Sequence, residues 1–420
     1  MLLGVVADDI TGATDLCLML SREGMRVIQI MGIPVGSMPE ADAIVIALKS
    51  RSIPAPEAVS MSVTAASVLR AAGASQILFK YCSTFDSTDQ GNIGPVAEAL
   101  LANLGADLTI ACPSFPRAGR TTYKGHLFVG DSLLSDSPLK DHPLNPMRDS
   151  NLQRVLQRQT ALPVGLIDIA TIGAGVDAVT TALAERRAAG KAIVIVDTLT
   201  DADLVTLGAA CADLALVTGG SGIGMGIAIH ARKAGRFTPK SPAPRMTAPS
   251  GRAAILAGSC SVATLAQIAH AQAAGLPSLP LDAMAIADGR QTAADIAAWA
   301  VACPQDTMPL VYSSAVPAKL RAVHDRLGQH EAGLLVENTL AEVARLLGQA
   351  GFARFIVAGG ETSGAVVAAL GVTTLEVGPE IDPGVPWTRS IAGPNLALAL
   401  KSGNFGAEDF FLKAWTLLQS

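Results

Sequence analysis

A long alternation between short β-branched apolar runs and helix-period segments constrains this chain more than any other feature. Apolar runs occupy positions 27–31, 43–48, 76–80, 108–111, 164–170, 192–197 and 215–218, with helical patterns between them. That rhythm predicts an α/β fold with mostly parallel sheets flanked by helices, because parallel strands need crossover connections and helices supply them. Between 236 and 252 the text becomes RFTPKSPAPRMTAPSGR, whose four prolines cannot continue a helix or a central strand. The rhythm then resumes at 253–257, 309–312, 355–358 and 374–377, with an Ala-rich helix after Ser261. We therefore expect two domains, 1–235 and 253–420, joined by a Pro-rich linker at 236–252. A stretch at 113–151 has little periodicity but much Pro, Gly, Arg, His and Asp, which marks a long functional loop.

With 420 residues, half of them hydrophobic and only 16% charged, the chain can bury large cores. A net charge of −5 argues against nucleic-acid partners and anionic membranes, which need clustered Lys and Arg. Any anionic ligand must therefore be held by local groups. The six cysteines show no CxxC or Cys/His spacing, and most sit in apolar text typical of buried thiols. No apolar run is long and charge-free enough to span a bilayer, and the opening MLLG has no basic leader, so a cytoplasmic location is expected. A homo-oligomer is left open.

Four segments carry candidate chemistry in the first half. VVADDITGATD, at 5–15, ends a strand on two adjacent carboxylates, Asp8 and Asp9, and leads through Thr11 and Gly12 into a helix. If the strand continues, those carboxylates point to opposite sides, one toward a ligand and one tying down the loop; the alternative is an Asp N-cap before a tight turn. KYCSTFDSTDQGNIG, at 80–94, again joins strand to helix and gathers Lys80, Asp86, Ser87, Thr88 and Asn92. PSFPRAGRTTYKGHLF, at 113–128, brings Arg117, Arg120, Lys124 and His126 onto a Gly/Pro-stiffened loop, with His126 read as an orienting partner. Arg51, in LKSRS, is a second candidate clamp; Arg51 or Arg120, or both, are expected to hold a carboxylate through the planar guanidinium fork. A fourth segment, TGGSGIGMG at 218–226, looks like a dinucleotide fingerprint, but no acidic residue ends a following strand at the required spacing, so it is read as structural or phosphate-adjacent.

In the second half, AGSCS at 257–261 and AGGETSG at 358–364 each follow a strand and open a helix, as phosphate-facing turns do. KSGNFG, at 401–406, adds a third glycine turn, with Lys401 as the cation available to developing phosphoryl charge.

Taken in order, VADDITGATD, DSTDQGNIG, PSFPRAGRTTYKGHLF, TGGSGIG, GGETSGAVVAALG, GPEIDPGVPW and LALKSGNFG resemble the four-carbon acid sugar kinase family over nearly the whole chain. The resemblance implies an N-terminal domain for a sugar acid, a C-terminal domain for ATP, and phosphoryl transfer in the interdomain cleft. It places ATP contacts on Ser259, on Gly360, Glu361, Thr362 and Ser363, and on Gly403; magnesium is expected with the nucleotide. GHLFVGDSLLSDSPLKDHPLNPMRDSNL and ALKSRS resemble members that phosphorylate the terminal hydroxyl of a 3-oxo-tetronate. A non-oxidised tetronate (threonate or erythronate) is the alternative acceptor, and a two-lobed sugar-acid-binding protein is the alternative from another class. Asp8, Asp9, Thr11, Arg51, Lys80, Asp86, Arg120 and His126 are the expected substrate-binding residues, with Asp86 and Asp9 the candidates for catalysis and no metal ligand assigned. DSTDQGN stands where relatives carry DSTLRGN, so the arginine expected at position 90 is a glutamine.

Overall fold

The computed structural model describes residues 1–34, 36–141, 145–241, 245–313 and 325–419, which omits 242–244 of the expected linker and 142–144 of the long loop. Two compact units emerge, Met1–Ser241 and Pro242–Ser420.

Among the described residues of the first unit, eight strands form a parallel sheet: β1 (Leu3–Ala7), β2 (Val27–Met31), β3 (Ala43–Ala47), β4 (Gln76–Lys80), β5 (Thr109–Cys112), β9 (Val164–Ile167), β10 (Ile193–Val196) and β11 (Leu216–Gly219). Their order is β2-β3-β1-β4-β11-β5-β10-β9. The runs are near-continuously apolar because helices cover both faces, so Val5, Ile44, Leu78 and Val194 are all buried. After β1 the chain moves to one side of the sheet, whereas after β4 it moves to the other. Since β1 and β4 are neighbours, a topological switch point falls at their C-terminal ends, where open α/β sheets place ligands. Ala47, Ala7 and Lys80 lie in one register row, so the loops after β3, β1 and β4 start at one level.

The segment expected as an irregular loop contains regular structure: β6 (Arg120–Tyr123), β7 (His126–Val129) and β8 (Ser132–Leu133) form a small antiparallel sheet. Its first turn uses two residues in the left-handed region, Lys124 (φ 49°) and Gly125 (φ 71°), the geometry of a tight hairpin. Buried Asp197 pins that turn by accepting from the backbone N–H of Lys124 and Gly125, both at 2.8 Å. Without long apolar alternation, such short strands leave no periodic signal.

TGGSGIGMG spans a strand end, a helix cap and a tight helix–helix contact. Gly219 ends β11, Gly220 caps the next helix, and Gly222, Gly224 and Gly226 lie in that buried helix, Ser221–Lys233, which crosses helix Asp201–Ala210 so closely that a Cβ on Gly208 would sit 2.2 Å from the carbonyl carbon of Gly226.

The second unit contains β12 (Met246–Thr247), β13 (Arg252–Ala257), β14 (Ser278–Pro280), β15 (Leu310–Tyr312), β16 (Phe352–Ala358), β17 (Thr374–Asp382), β18 (Val385–Ala392), β19 (Ala397–Lys401) and β20 (Leu418–Gln419). Its main sheet runs β14-β15-β13-β16-β19-β18-β17, parallel through β19 and antiparallel beyond. Chain direction switches here too, between neighbours β13 and β16. Ala257, Ala358 and Lys401 share one register row, which brings the three glycine turns to the same end of the sheet. Among the described residues no helix is long and apolar enough to cross a membrane.

The cysteines are all free thiols: Cys17, Cys112 and Cys211 are buried, Cys82 and Cys303 half-buried, and Cys260, on the first glycine turn of the second unit, exposed.

Candidate functional site

The first unit gathers its charge at the β1/β4 switch point. Arg51 donates to Asp8 through Nε (2.9 Å) and Nη2 (2.7 Å), a bidentate pair. Nη2 also lies 3.0 Å from Asp9 Oδ1, and Nη1 lies 3.8 Å from Asp86 Oδ2. The two carboxylates therefore do not divide between opposite sides as expected. The backbone stays extended through Asp9 (φ −147°, ψ 157°), yet the guanidinium lies beyond the strand end, within reach of both. Asp9 is also the N-cap of helix Ile10–Arg22, accepting from the N–H of Gly12 (2.8 Å) and the hydroxyl of Thr11 (2.9 Å). The N-cap reading of that segment therefore falls on Asp9.

Packing holds these groups tightly. A Cβ on Gly12 would come 2.3 Å from Asp9 Oδ1 and 2.4 Å from Lys80 Nζ, so Gly12 leaves the space that Asp9 and buried Lys80 fill. Asn92 Nδ2 donates to the carbonyls of Ser50 (2.8 Å), Arg51 (3.1 Å) and Ile53 (2.9 Å), which fixes the loop that carries Arg51. Thr84 donates to Asp86 Oδ1 at 2.7 Å, and Oδ2 lies 3.8 Å from Nη1 of Arg51. Burial pushes the Asp8 carboxyl up against the pull of Arg51. Burial raises Asp9 as well, but Arg51, Lys80, Thr11 and the Gly12 N–H together outweigh it and leave Asp9 below the usual carboxylate range. Despite its burial, Arg51 is held charged by Asp8 and Asp9.

Sequence reasoning missed Asp15. It lies on the helix that Asp9 caps, accepts from the Ser221 hydroxyl at 2.5 Å, and is raised by burial while Lys80 pulls it down. Its second oxygen is buried without a hydrogen-bond partner among the described residues. Six residues beyond the cap, it read as part of a helix; its inward direction depends on packing against helix Ser221–Lys233.

The cations of the 113–128 segment do not converge as expected. The hairpin and its flanking turn send them to separate partners: Arg117 pairs with Asp201, Arg120 donates to the carbonyl of Ala118, and Lys124 lies 5.5 Å over the Tyr123 ring. Arg120 Nε is buried without a partner among the described residues. His126 Nδ1 lies 2.9 Å from the Lys124 carbonyl. His126 also lines a groove of about 800 Å³ together with Ser87, Thr88, Gln90, Arg148 and Arg158. Along this same groove Arg158 pairs with Asp89 at 3.0 Å.

In the second unit, the 258–261 and 359–363 turns lie against one another. A Cβ on Gly258 would meet Thr362 Oγ1 at 2.1 Å. Helices Val262–Ala273 and Gly360–Ala369 begin at these turns, so two helix N-termini, the end of a helix that suits an anion, lie side by side. Glu361 is exposed in the first turn of the second helix, Thr362 is buried, and the buried Ser363 hydroxyl has no partner among the described residues. The Gly403 turn packs so closely that a Cβ there would lie 2.3 Å from Ser259 Oγ. Lys401 is fully buried below these turns, facing inward rather than toward an open surface.

A polyphosphate-suited unit and a unit with clustered acids at its switch point define a two-domain binder of a polar small molecule and a nucleotide. The family comparisons give the same division: residues 3–227 match a sugar-binding N-terminal domain, and residues 254–411 match a nucleotide-binding C-terminal domain. The chain belongs to the four-carbon acid sugar kinase family. Among its relatives, a 3-oxo-tetronate kinase of Pseudomonas fluorescens is 54% identical over 98% of this chain and 96% of the relative. Another, from Burkholderia multivorans, is 53% identical over the same shares. A solved Salmonella typhimurium structure, described as a putative tRNA synthase, superposes with a TM-score of 0.88 at 40% identity, covering 99% of both chains. A Haemophilus influenzae protein superposes at 0.80 with 42% identity, covering 99% of this chain and 100% of its own.

Proposed function

We propose that this chain transfers the γ-phosphoryl group of ATP to the terminal hydroxyl of a four-carbon sugar acid, with a 3-oxo-tetronate as the acceptor. The observation that carries this reading is the 54% identity, over nearly the full length of both chains, to a relative named for that activity. The hydroxyl oxygen bonds to the γ-phosphorus, the bond to the bridging oxygen breaks, and the acid 4-phosphate leaves with ADP.

The first unit holds the acid. Asp86 is the base, because it keeps an oxygen whose nearest cation is 3.8 Å away, whereas Asp8 is engaged by two Arg51 bonds and Asp9 by the helix cap. Asp9 and Thr11 orient the sugar hydroxyls, with Asp8 and Lys80 fixing their surroundings. Arg51 has its bidentate edge on Asp8 and so organises the acids rather than gripping a substrate carboxylate edge-on. Four carboxylates (Asp8, Asp9, Asp15, Asp86) against two cations (Arg51, Lys80) also disfavour a further carboxylate there. The acid end of the substrate belongs in the adjoining groove with His126 and Arg148, with Arg120 as the second candidate.

The second unit holds the nucleotide on Ser259, on Gly360 to Ser363 and on Gly403. Glu361, exposed in the first turn of helix Gly360–Ala369, would hold magnesium together with phosphate oxygens, in keeping with that ion's preference for one or two carboxylates plus phosphates. There the ion would neutralise phosphoryl charge. A cytoplasmic location accords with this metabolic role. Phosphorus NMR of a reaction containing ATP and a 3-oxo-tetronate tests the reading: a phosphomonoester on the terminal carbon is expected, and ADP formation without that product would refute it.

A further inference from the structure

Beneath the glycine turns of the second unit, one carbonyl receives three donors. The Gly403 oxygen accepts from Ser261 Oγ at 2.6 Å, Thr264 Oγ1 at 2.9 Å and Lys401 Nζ at 3.0 Å. Lys401 Nζ also donates to Thr264 Oγ1 (2.9 Å) and to the Ser402 carbonyl (3.2 Å). Three residues further along the same helix face, buried Gln267 donates through Nε2 to the carbonyls of Phe405, Gly406 and Ala407, at 2.9–3.1 Å. Ser261, Thr264 and Gln267 recur every three residues, so one edge of helix Val262–Ala273 faces the whole 403–407 loop.

Lys401 is the unusual member of this set. It is fully buried, yet among the described residues no ion pair joins it to a carboxylate, and all three of its hydrogen bonds go to neutral oxygens. A buried charge is costly unless something compensates it. The same bonds that solvate it draw the Gly403 carbonyl inward. Because the C=O and N–H of one planar trans peptide point in opposite directions, the N–H of exposed Asn404 is turned away from the core. Among the described residues no backbone acceptor takes that N–H.

We propose that Lys401 is a positioning residue for the nucleotide: through Thr264 and the Gly403 peptide it presents the Asn404 N–H to a phosphate oxygen, and the polyanion supplies its missing counter-charge. This rests on the reading of the second unit as the nucleotide site. Lys401 itself does not touch the phosphates; it sets the turn that does and lends positive potential from below.

Calorimetric titration of the full chain with ADP, paired with steady-state KM values for ATP and for the acid, tests it. Lys401→Met keeps the length and apolar stem but removes the charge and the donors. ADP binding should weaken at least tenfold and the ATP KM rise in step, while the acid KM stays within twofold. Thr264→Val, which interrupts the relay but leaves the lysine, should give a smaller loss in the same direction and decides the matter if Lys401→Met does not fold. Lys401→Arg, which retains charge and donors, should recover part of the affinity. Unchanged ADP affinity in a folded Lys401→Met or Thr264→Val protein, or equal rises in both KM values, would overturn the proposal. Failure of the wild-type protein to bind ADP at all would instead remove the nucleotide reading beneath it, and the proposal with it.

Discussion

Arg51 and Asp8, 43 positions apart, meet in a bidentate pair whose two bonds measure 2.9 and 2.7 Å. The pair ties the loop after β3 to the end of β1, and the same guanidinium touches Asp9. Arg51→Lys keeps a charge but loses the fork. The loss of a charge-assisted bond of roughly 1.5–3 kcal/mol should lower kcat/KM for the acid by about one to two orders of magnitude. Steady-state kinetics with ATP saturating give that ratio; a wild-type value would show that the pair does not organise the site.

The three acids should separate kinetically. Asp86→Asn should lower kcat by about 10² to 10⁴, the usual cost of a lost general base, with little change in acid KM. Asp9→Asn should act mainly on KM. If all three Asn variants, Asp8→Asn included, keep kcat within a few-fold of wild type, transfer relies on positioning alone and Asp86 is no base.

The carboxylate end of the substrate distinguishes two arginines. Arg148→Ala should raise the acid KM about tenfold, in line with one charge-assisted hydrogen bond of at least roughly 1.5 kcal/mol, and leave the ATP KM unchanged. Arg120→Lys is the companion variant, and a rise in acid KM there alone would move the carboxylate to the β6 side.

Gly12→Ala places a methyl group where Asp9 and Lys80 already stand, at 2.3 and 2.4 Å. Overpacking of this kind typically costs about 1–3 kcal/mol, so thermal unfolding should shift to lower temperature and the acid KM should rise. Wild-type melting would mean that the cluster yields easily.

Burial pulls the Lys401 pKa from 10.5 down to about 7. The unfolded chain therefore holds a proton that the folded chain has released between about pH 7 and pH 10.5, and stability must rise with pH across that window. The slope is at most about 1.4 kcal/mol per pH unit for one proton. Below pH 7 both states are protonated and the slope vanishes. Comparing melting of wild type and Lys401→Met from pH 6 to pH 9 isolates the effect; parallel curves would place Lys401 in a wetter setting.

The sequence made the sheet legible because strands buried on both faces are continuous apolar runs: 27–31 and 76–80 coincide with β2 and β4. The β6-β7-β8 hairpin and β18 were not legible, the first because its strands are short and half-exposed, the second because it pairs antiparallel where a parallel rhythm was expected. Asp8, Asp9 and Arg51 stood out as strand-end residues, but their mutual pairing depends on neighbouring strands and not on spacing. Thr264 and Gln267 passed unnoticed because a polar residue every three positions in an Ala-rich helix is ordinary text until the loop that it holds is known.

ADP release by the purified chain, measured over a panel of 3-oxo-tetronates, threonate, erythronate and no acid, tests the central claim most directly. The account predicts turnover that requires an acid, with kcat/KM highest for a 3-oxo-tetronate. ADP binding without turnover on any member of the panel, or a higher kcat/KM for a non-oxidised tetronate, would contradict it.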